Sequence, residues 1–202
     1  LKGGDKMPYV YPIKNRKKIE DMRKILAYNS SRDELLFLLG INTAFRISDL
    51  LRLKFSDLYD QKGRPIQKLY AYKEKKTGKL KSLPMPAKVE KALKEYVKAF
   101  PDWQPDDPIF QSRKKDGSKG SGAISRQQAQ RILIAAAESA GIKDPIGTHT
   151  LRKTFAYMLY KETGNIALVM KLLNHDSQSD TLRYIGIEQE EMDAAVLNLN
   201  LG

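Results

Sequence analysis

The stretch THTLRKTF, residues 148–155, holds one of only two histidines in a chain of 202 residues. His149 and Arg152 stand three apart, so on a helix they share a face. Imidazole changes charge near neutral pH, whereas guanidinium keeps its charge. A proton acceptor beside a fixed cation suits proton transfer next to a bound anion. It also suits an ordinary surface helix, and the remainder of the chain decides between the two.

Outward from that stretch the pattern is helical. Residues 151–161 read as a helix capped by Thr148 or Thr150, followed by a short helix over 166–173 and a turn or short helix over 181–185. Upstream, Ile19, Met22, Ile25 and Leu26 make one stripe on a helix over 16–28. Ser31 with Glu34 reads as a capping box, and the helix behind it is apolar nearly all round, hence buried. Ser48 reads as the N-cap of the next short helix, with Arg46 just before it. Helices are also expected over 88–100 and 125–140, the latter closed by Gly141. IQKLYAY and LKSLPM are short strands joined by the basic turn KEKKTGK. A third strand is expected either over 59–68 or near 108–110, and RKKDGSKGSG, 113–122, reads as a loop. The fold class is α+β: a mainly α-helical domain with one small antiparallel β-sheet. Residues 1–15 form an extended lead-in, 16–187 the domain, and 188–202 an amphipathic tail.

The composition narrows the function. Thirty-six Lys and Arg against 24 Asp and Glu give a net charge of +12, which points to a polyanion, most simply nucleic acid. Residues 62–81 concentrate that charge, with eight cations against the single acid Glu74. The tail is opposite in sign, with Glu188, Glu190, Glu191 and Asp193. There is no cysteine, so disulfides and thiolate metal sites are excluded, as fits a cytoplasmic protein. Two histidines and no thiol make a transition-metal site a poor fit, and no phosphate-cradling P-loop is present. No apolar run is long enough to span a membrane.

Four stretches taken in order carry a resemblance. TAFRISDLLRLKFSDL, KKTGKLKSLPM, THTLRKTF and LLNHDSQSDTLRYIGI resemble the successive signatures of the tyrosine recombinase (phage integrase) catalytic domain. That family has an arginine box, a hairpin lysine before Thr-Gly, a His-x-x-Arg box, and a His or Trp nine residues before a nucleophilic tyrosine. His175 and Tyr184 are nine apart here. The chain departs from the family pattern at Ala44, Asp49, Thr150 and Asn174, which touches turn geometry and removes no functional group. The resemblance implies the catalytic set Arg46, Lys76, His149, Arg152, His175 and Tyr184, supported by Asp49. It implies DNA cutting and rejoining through a 3′-phosphotyrosyl intermediate, without metal, cofactor or ATP. The alternatives are relaxation of the type IB topoisomerase kind, and a non-catalytic DNA-binding regulator on the same fold.

Elementary chemistry agrees with those assignments while leaving each residue a plainer reading. Two arginines clamp a phosphodiester through forked donors that never lose charge. Either one alone reads equally well as a surface ion-pair former. A phenol with a pKa near ~10 is a poor nucleophile until a base or cations activate it. Tyr184 by itself would simply be one of ten tyrosines. The resemblance makes His149 the proton acceptor, His175 a donor to the scissile phosphate, and Lys76 the acid for the leaving 5′-oxygen. Lys75, Lys79 and Lys81 compete with Lys76 for that role. Asp49 either orients the site or is an acid favoured at a helix start.

The expected partner is double-stranded DNA, gripped by Lys73, Lys75, Lys79, Lys81, Arg113, Lys114, Lys115, Lys119 and Arg126. The resemblance adds a homo-tetramer on synapsed DNA, exchange of the C-terminal tail between protomers, and accessory DNA-binding proteins. Most relatives carry an N-terminal core-binding domain. The chain is expected to be either a fragment or one of the short stand-alone recombinases.

Overall fold

The computed structural model describes residues 9–60, 62–73, 80–98, 100, 102–113, 119–187 and 196–199. The first helix, α1 (Arg16–Asn29), is capped by Asn15, whose side chain accepts the Lys17 N–H at 2.8 Å. It buries Met22 and Leu26 from the expected stripe. The second, α2 (Ser31–Asn42), is buried along most of its length, as its all-round apolar sequence requires. Its cap differs from expectation. Ser30 occupies the cap position and its hydroxyl finds no hydrogen-bond partner among the described residues. Glu34 does not reach back to the helix start, because it pairs with Arg23 of α1, a charged partner stronger than a backbone N–H.

The short helix α3 (Ile47–Leu50) starts two residues earlier than the Ser48 cap would have placed it. Arg46 is the cap residue, and the Asp49 carboxylate accepts the Arg46 backbone N–H at 3.2 Å. A 3-10 turn at Phe55–Asp57 follows. Strands β1 (Lys68–Lys73) and β2 (Leu80–Pro84) pair antiparallel, with Tyr72 opposite Lys81 and an irregularity between Leu69 and Tyr72. Among the described residues no separate strand forms over 59–67, whereas the strand expected near 108–110 begins one residue beyond it, at Gln111. Tyr59 and Pro65 make one isolated bridge, and Lys54 and Pro108 another.

The stretch expected to be a loop instead contributes a second two-stranded sheet, β3 (Gln111–Arg113) with β4 (Lys119–Ala123). Its glycines and serines carry no alternating apolar signal, so the backbone pairing left no trace in the residue pattern. Helix α4 (Ala87–Lys98) lies between the two hairpins, and α5 (Arg126–Ser139) follows the second. The Ser125 hydroxyl accepts the Gln128 N–H at 3.1 Å, and Gly141 takes φ 65° just past the α5 end.

Helix α6 (Thr148–Thr163) begins at the Gly147 cap, ahead of both threonines proposed for that role. Thr150 is inside the first turn, and its hydroxyl accepts the Gly147 N–H at 3.1 Å. His149 therefore sits in the opening turn of α6. Two short helices follow: α7 (Ile166–Leu173) and α8 (Gln178–Ile185). Asn174 ends α7 in the left-handed conformation at φ 51°, and Gly186 ends α8 at φ 70°.

Three apolar clusters join these elements. Leu35, Leu39, Phe45, Phe55, Leu93, Tyr96 and Phe110 hold α2, α3 and α4 together. Met22, Leu26, Phe37, Leu133 and Leu151 join α1, α2, α5 and α6. Ala44, Ala156, Tyr157, Val169, Leu173 and Ile185 unite α6, α7 and α8. Helix α2 supplies two of the clusters, and α6 lies directly against it. A Cβ on Gly40 would meet Leu151 Cδ1 at 2.4 Å, so this contact requires glycine. Among the described residues no helix is long and apolar enough to cross a membrane.

Candidate active site

The candidate residues come from distant segments, and α6 gathers them. Arg152 is 3% exposed and points from α6 into the seam between its neighbours. Its Nη1 donates to the Ala44 carbonyl, two residues before Arg46, and its Nη2 donates to the Leu173 carbonyl at 2.6 Å. One guanidinium thus ties the turn carrying Arg46 to the turn carrying His175.

His149 is half-buried, and its pKa lies below the ordinary 6.5. Burial is the first cause, followed by the positive charges of Arg126, Arg152, Lys153 and Arg46. Around neutral pH the ring is therefore uncharged and able to accept a proton.

Tyr184, on α8, is half-buried too. Burial raises its phenol pKa above 10.0, while the charges of Arg152 and Arg46, and a hydrogen bond with Arg152, pull it back. The two arginines thus act on both His149 and Tyr184, which places all four groups in one locale. The His175 ring meets the Tyr184 ring edge-on, with centroids 5.1 Å apart and an interplanar angle of 85°.

His175 is oriented by α8 itself. The Thr181 hydroxyl donates to the Ser177 carbonyl at 2.7 Å and lies 3.2 Å from His175 Nδ1, a contact that fixes how the ring is turned. Thr181 is fully buried. Asp49 is fully buried as well; one oxygen holds Arg46 N–H and the other accepts no hydrogen bond among the described residues. It acts on the backbone that presents Arg46.

Five of the six sequence-derived catalytic residues are therefore together. The sixth, Lys76, lies outside the described residues, as do Lys75, Lys79, Lys114 and Lys115. Lys73 and Lys81 stand on β1 and β2, and Arg113 pairs with Lys119 across β3 and β4. Arg126 is exposed at the start of α5 and acts on His149.

The sequence reading missed Lys153, Tyr9 and Thr181. Lys153 follows Arg152 directly and is 5% exposed, yet its ammonium lies 3.7 Å from the Tyr9 ring centroid and 5.1 Å from that of Tyr184. Its position in the quoted stretch was the available signal. Nothing in the local sequence marked Tyr9.

Residues 15–191 match the Phage integrase family. The chain is 39% identical over 189 residues to the probable integrase/recombinase YoeC of Bacillus subtilis (strain 168), covering 94% of this chain and 96% of that one. A crystal structure of XerA recombinase superposes with a TM-score of 0.70 at 19% identity, covering 99% of this chain and 66% of the other. A lambda integrase tetramer bound to a Holliday junction gives a TM-score of 0.63 at 18% identity, over 89% of this chain and 49% of that one. The chain thus spans nearly all of YoeC and only about half to two thirds of these structural neighbours. With its helical fold, its ordered motifs and a family match across most of its length, the chain belongs to the phage integrase family and is a tyrosine site-specific recombinase.

Proposed function

We propose that Tyr184 is the nucleophile of this recombinase. Its Oη attacks a DNA phosphodiester, forms a 3′-phosphotyrosyl bond and releases a 5′-hydroxyl. A 5′-hydroxyl from a second duplex then attacks the phosphotyrosine, restoring the phosphodiester and freeing the tyrosine. The number of diester bonds is unchanged, so no nucleotide hydrolysis is required. Arg46 and Arg152 bind the non-bridging oxygens, where charge builds up as the phosphoryl group is transferred. His149 takes the phenol proton and returns it in the second step. His175 donates a ring N–H to the same phosphate. Lys76 protonates the leaving 5′-oxygen.

The observation that supports this reading is the shared field of Arg46 and Arg152 over His149 and Tyr184. A surface pair of arginines would not converge on a half-buried phenol and a neutral imidazole at once.

The test is a covalent trap. The chain is mixed with a pool of nicked random-sequence duplexes in EDTA and denatured in SDS, beside Tyr184→Phe. An adduct band in the wild type alone supports the reading. A band that persists in Tyr184→Phe sinks it.

The same reading makes double-stranded DNA the partner, held by the basic hairpins and Arg126, with loss of affinity as salt rises. It also makes the working unit a tetramer on synapsed DNA, with accessory DNA-binding proteins as further partners. The tail from 188 docks on a neighbouring subunit. Residues 188–195 lie outside the described residues; beyond them the apolar Val196 and Leu199 are 70% and 63% exposed, which supports an intermolecular role. Truncation after Ile187 keeps the Gly186 cap of α8. It is expected to lower recombination while leaving single-site DNA binding intact, and unchanged recombination would remove the tail from the assembly. Strand exchange between two labelled duplexes separates recombination from relaxation alone.

A further inference from the structure

Lys153 is an unusual buried group. Lysine is rarely buried without a counter-charge, and among the described residues no carboxylate pairs with this one. Two aromatic rings flank its ammonium instead, Tyr9 at 3.7 Å and Tyr184 at 5.1 Å from their centroids.

Tyr9 belongs to an extended strap that runs across α6 and α8. Tyr11 N–H donates to the Pro145 carbonyl at 3.1 Å, and Ile13 N–H to the Thr154 hydroxyl at 2.8 Å. Lys14 Nζ lies 5.4 Å from the Tyr157 ring centroid. At its outer end the Tyr9 hydroxyl donates to the Arg183 carbonyl at 2.8 Å, one residue before the nucleophile. The strap therefore holds α8 at the peptide that carries Tyr184, and Lys153 holds the ring.

We propose that Tyr9 and Lys153 are positioning residues for the nucleophile: the ammonium bridges the Tyr9 and Tyr184 rings, the Tyr9 hydroxyl anchors the Arg183 carbonyl, and together they fix the phenol for attack. The inference rests on the reading of Tyr184 as nucleophile. The groups that face this ring are Arg46 at the α3 start, Arg152 and Lys153 on α6, His175 before α8, and Tyr9 on the strap. His175 braces the ring edge, the arginines address its oxygen, and Lys153 meets its π system. The apolar cluster of α6, α7 and α8 packs against the ring without direction, so these polar and cationic contacts set how its oxygen is aimed.

Burial lowers the Lys153 pKa from 10.5 to about 8. The ring-to-ring bridge is therefore charged at neutral pH and lost as pH rises through about 8.

The experiment measures the rate of adduct formation on the nicked random-sequence pool, with DNA retention measured separately. Lys153→Met is expected to slow adduct formation at least tenfold with retention little changed, and Lys153→Arg to restore most of the rate. Tyr9→Ala removes a half-exposed ring without opening the core and should slow the reaction similarly; Tyr9→Phe, which keeps the ring, should have a smaller effect. The wild-type rate should fall relative to Lys153→Arg as pH rises through about 8. Wild-type rates and an unaltered pH profile in both Lys153→Met and Tyr9→Ala would overturn the proposal. Adducts from Tyr184→Phe, or none from the wild type, would instead overturn the nucleophile assignment beneath it.

Discussion

Arg152 Nη2 donates to the Leu173 carbonyl oxygen at 2.6 Å, closing a link between α6 and the turn that carries His175. The same guanidinium reaches back to Ala44. A group expected to bind phosphate is thus also a structural strut, with donors already committed to backbone on two sides.

Arg152→Lys should therefore damage both stability and chemistry. An ammonium cannot span two carbonyls with a planar fork. Losing charge-assisted hydrogen bonds at a buried site is expected to cost about 2–4 kcal/mol, read as a lower urea midpoint. Adduct formation should fall at least a hundredfold, by more than the loss of folded protein accounts for.

Asp49→Ala removes the acceptor for Arg46 N–H and leaves the first turn of α3 uncapped. The expected cost is about 1 kcal/mol in urea denaturation. Adduct formation should fall with it, because the backbone that presents Arg46 loosens. Asp49→Asn keeps an acceptor oxygen and should recover much of both losses. A rescue that fails would mean the negative charge itself is required.

The pH profile should carry an acidic limb from His149. Its folded pKa lies below the ordinary 6.5, so the ring stays neutral at pH 7 and adduct formation declines only on acidification below about 6.5. Removing the Arg126 charge raises the His149 pKa, so Arg126→Ala should move that limb toward higher pH. Stability follows the same proton. Below about 6.5 the unfolded chain binds it more readily, so stability falls as pH drops from there toward the folded value. Rate and urea midpoint, measured from pH 5 to 8, check both.

Gly40→Ala forces a methyl into Leu151, with Cδ1 at 2.4 Å and Cβ at 2.8 Å. Alanine is worth about 1 kcal/mol over glycine in a helix. Overpacking costs about 1–3 kcal/mol and should win, because the nearest atoms include a Cβ that cannot swing aside. Calorimetry should show a lower Tm, and the loss should be smaller when Leu151→Ala is already present.

Much of the candidate site was legible because its residues fall in short, ordered motifs. Arg46, His149, Arg152, His175 and Tyr184 each stand in a recognisable stretch, and the structure brings them together. The helices were legible from their apolar spacing. The caps were less so, because Glu34 had a better partner in Arg23 and Asp49 reached back past Ser48. The second hairpin was hidden because glycine and serine pair through backbone alone. Lys153 and Tyr9 were hidden for a different reason. Their contact joins the lead-in to α6, and periodicity within either segment says nothing about a meeting between them.

The Arg152 link to Ala44 spans 108 residues of chain, and that to Leu173 spans 21. Contacts of the longer kind close large loops and form late, after local helices. A half-folded chain can already meet DNA through its basic segments, since attraction to phosphate needs no finished architecture. It holds no assembled cutter, because the strut that unites the arginines with the phenol is a product of complete folding. The long-range strut thus works as a safety catch: the arginines and the phenol meet only in the completed fold.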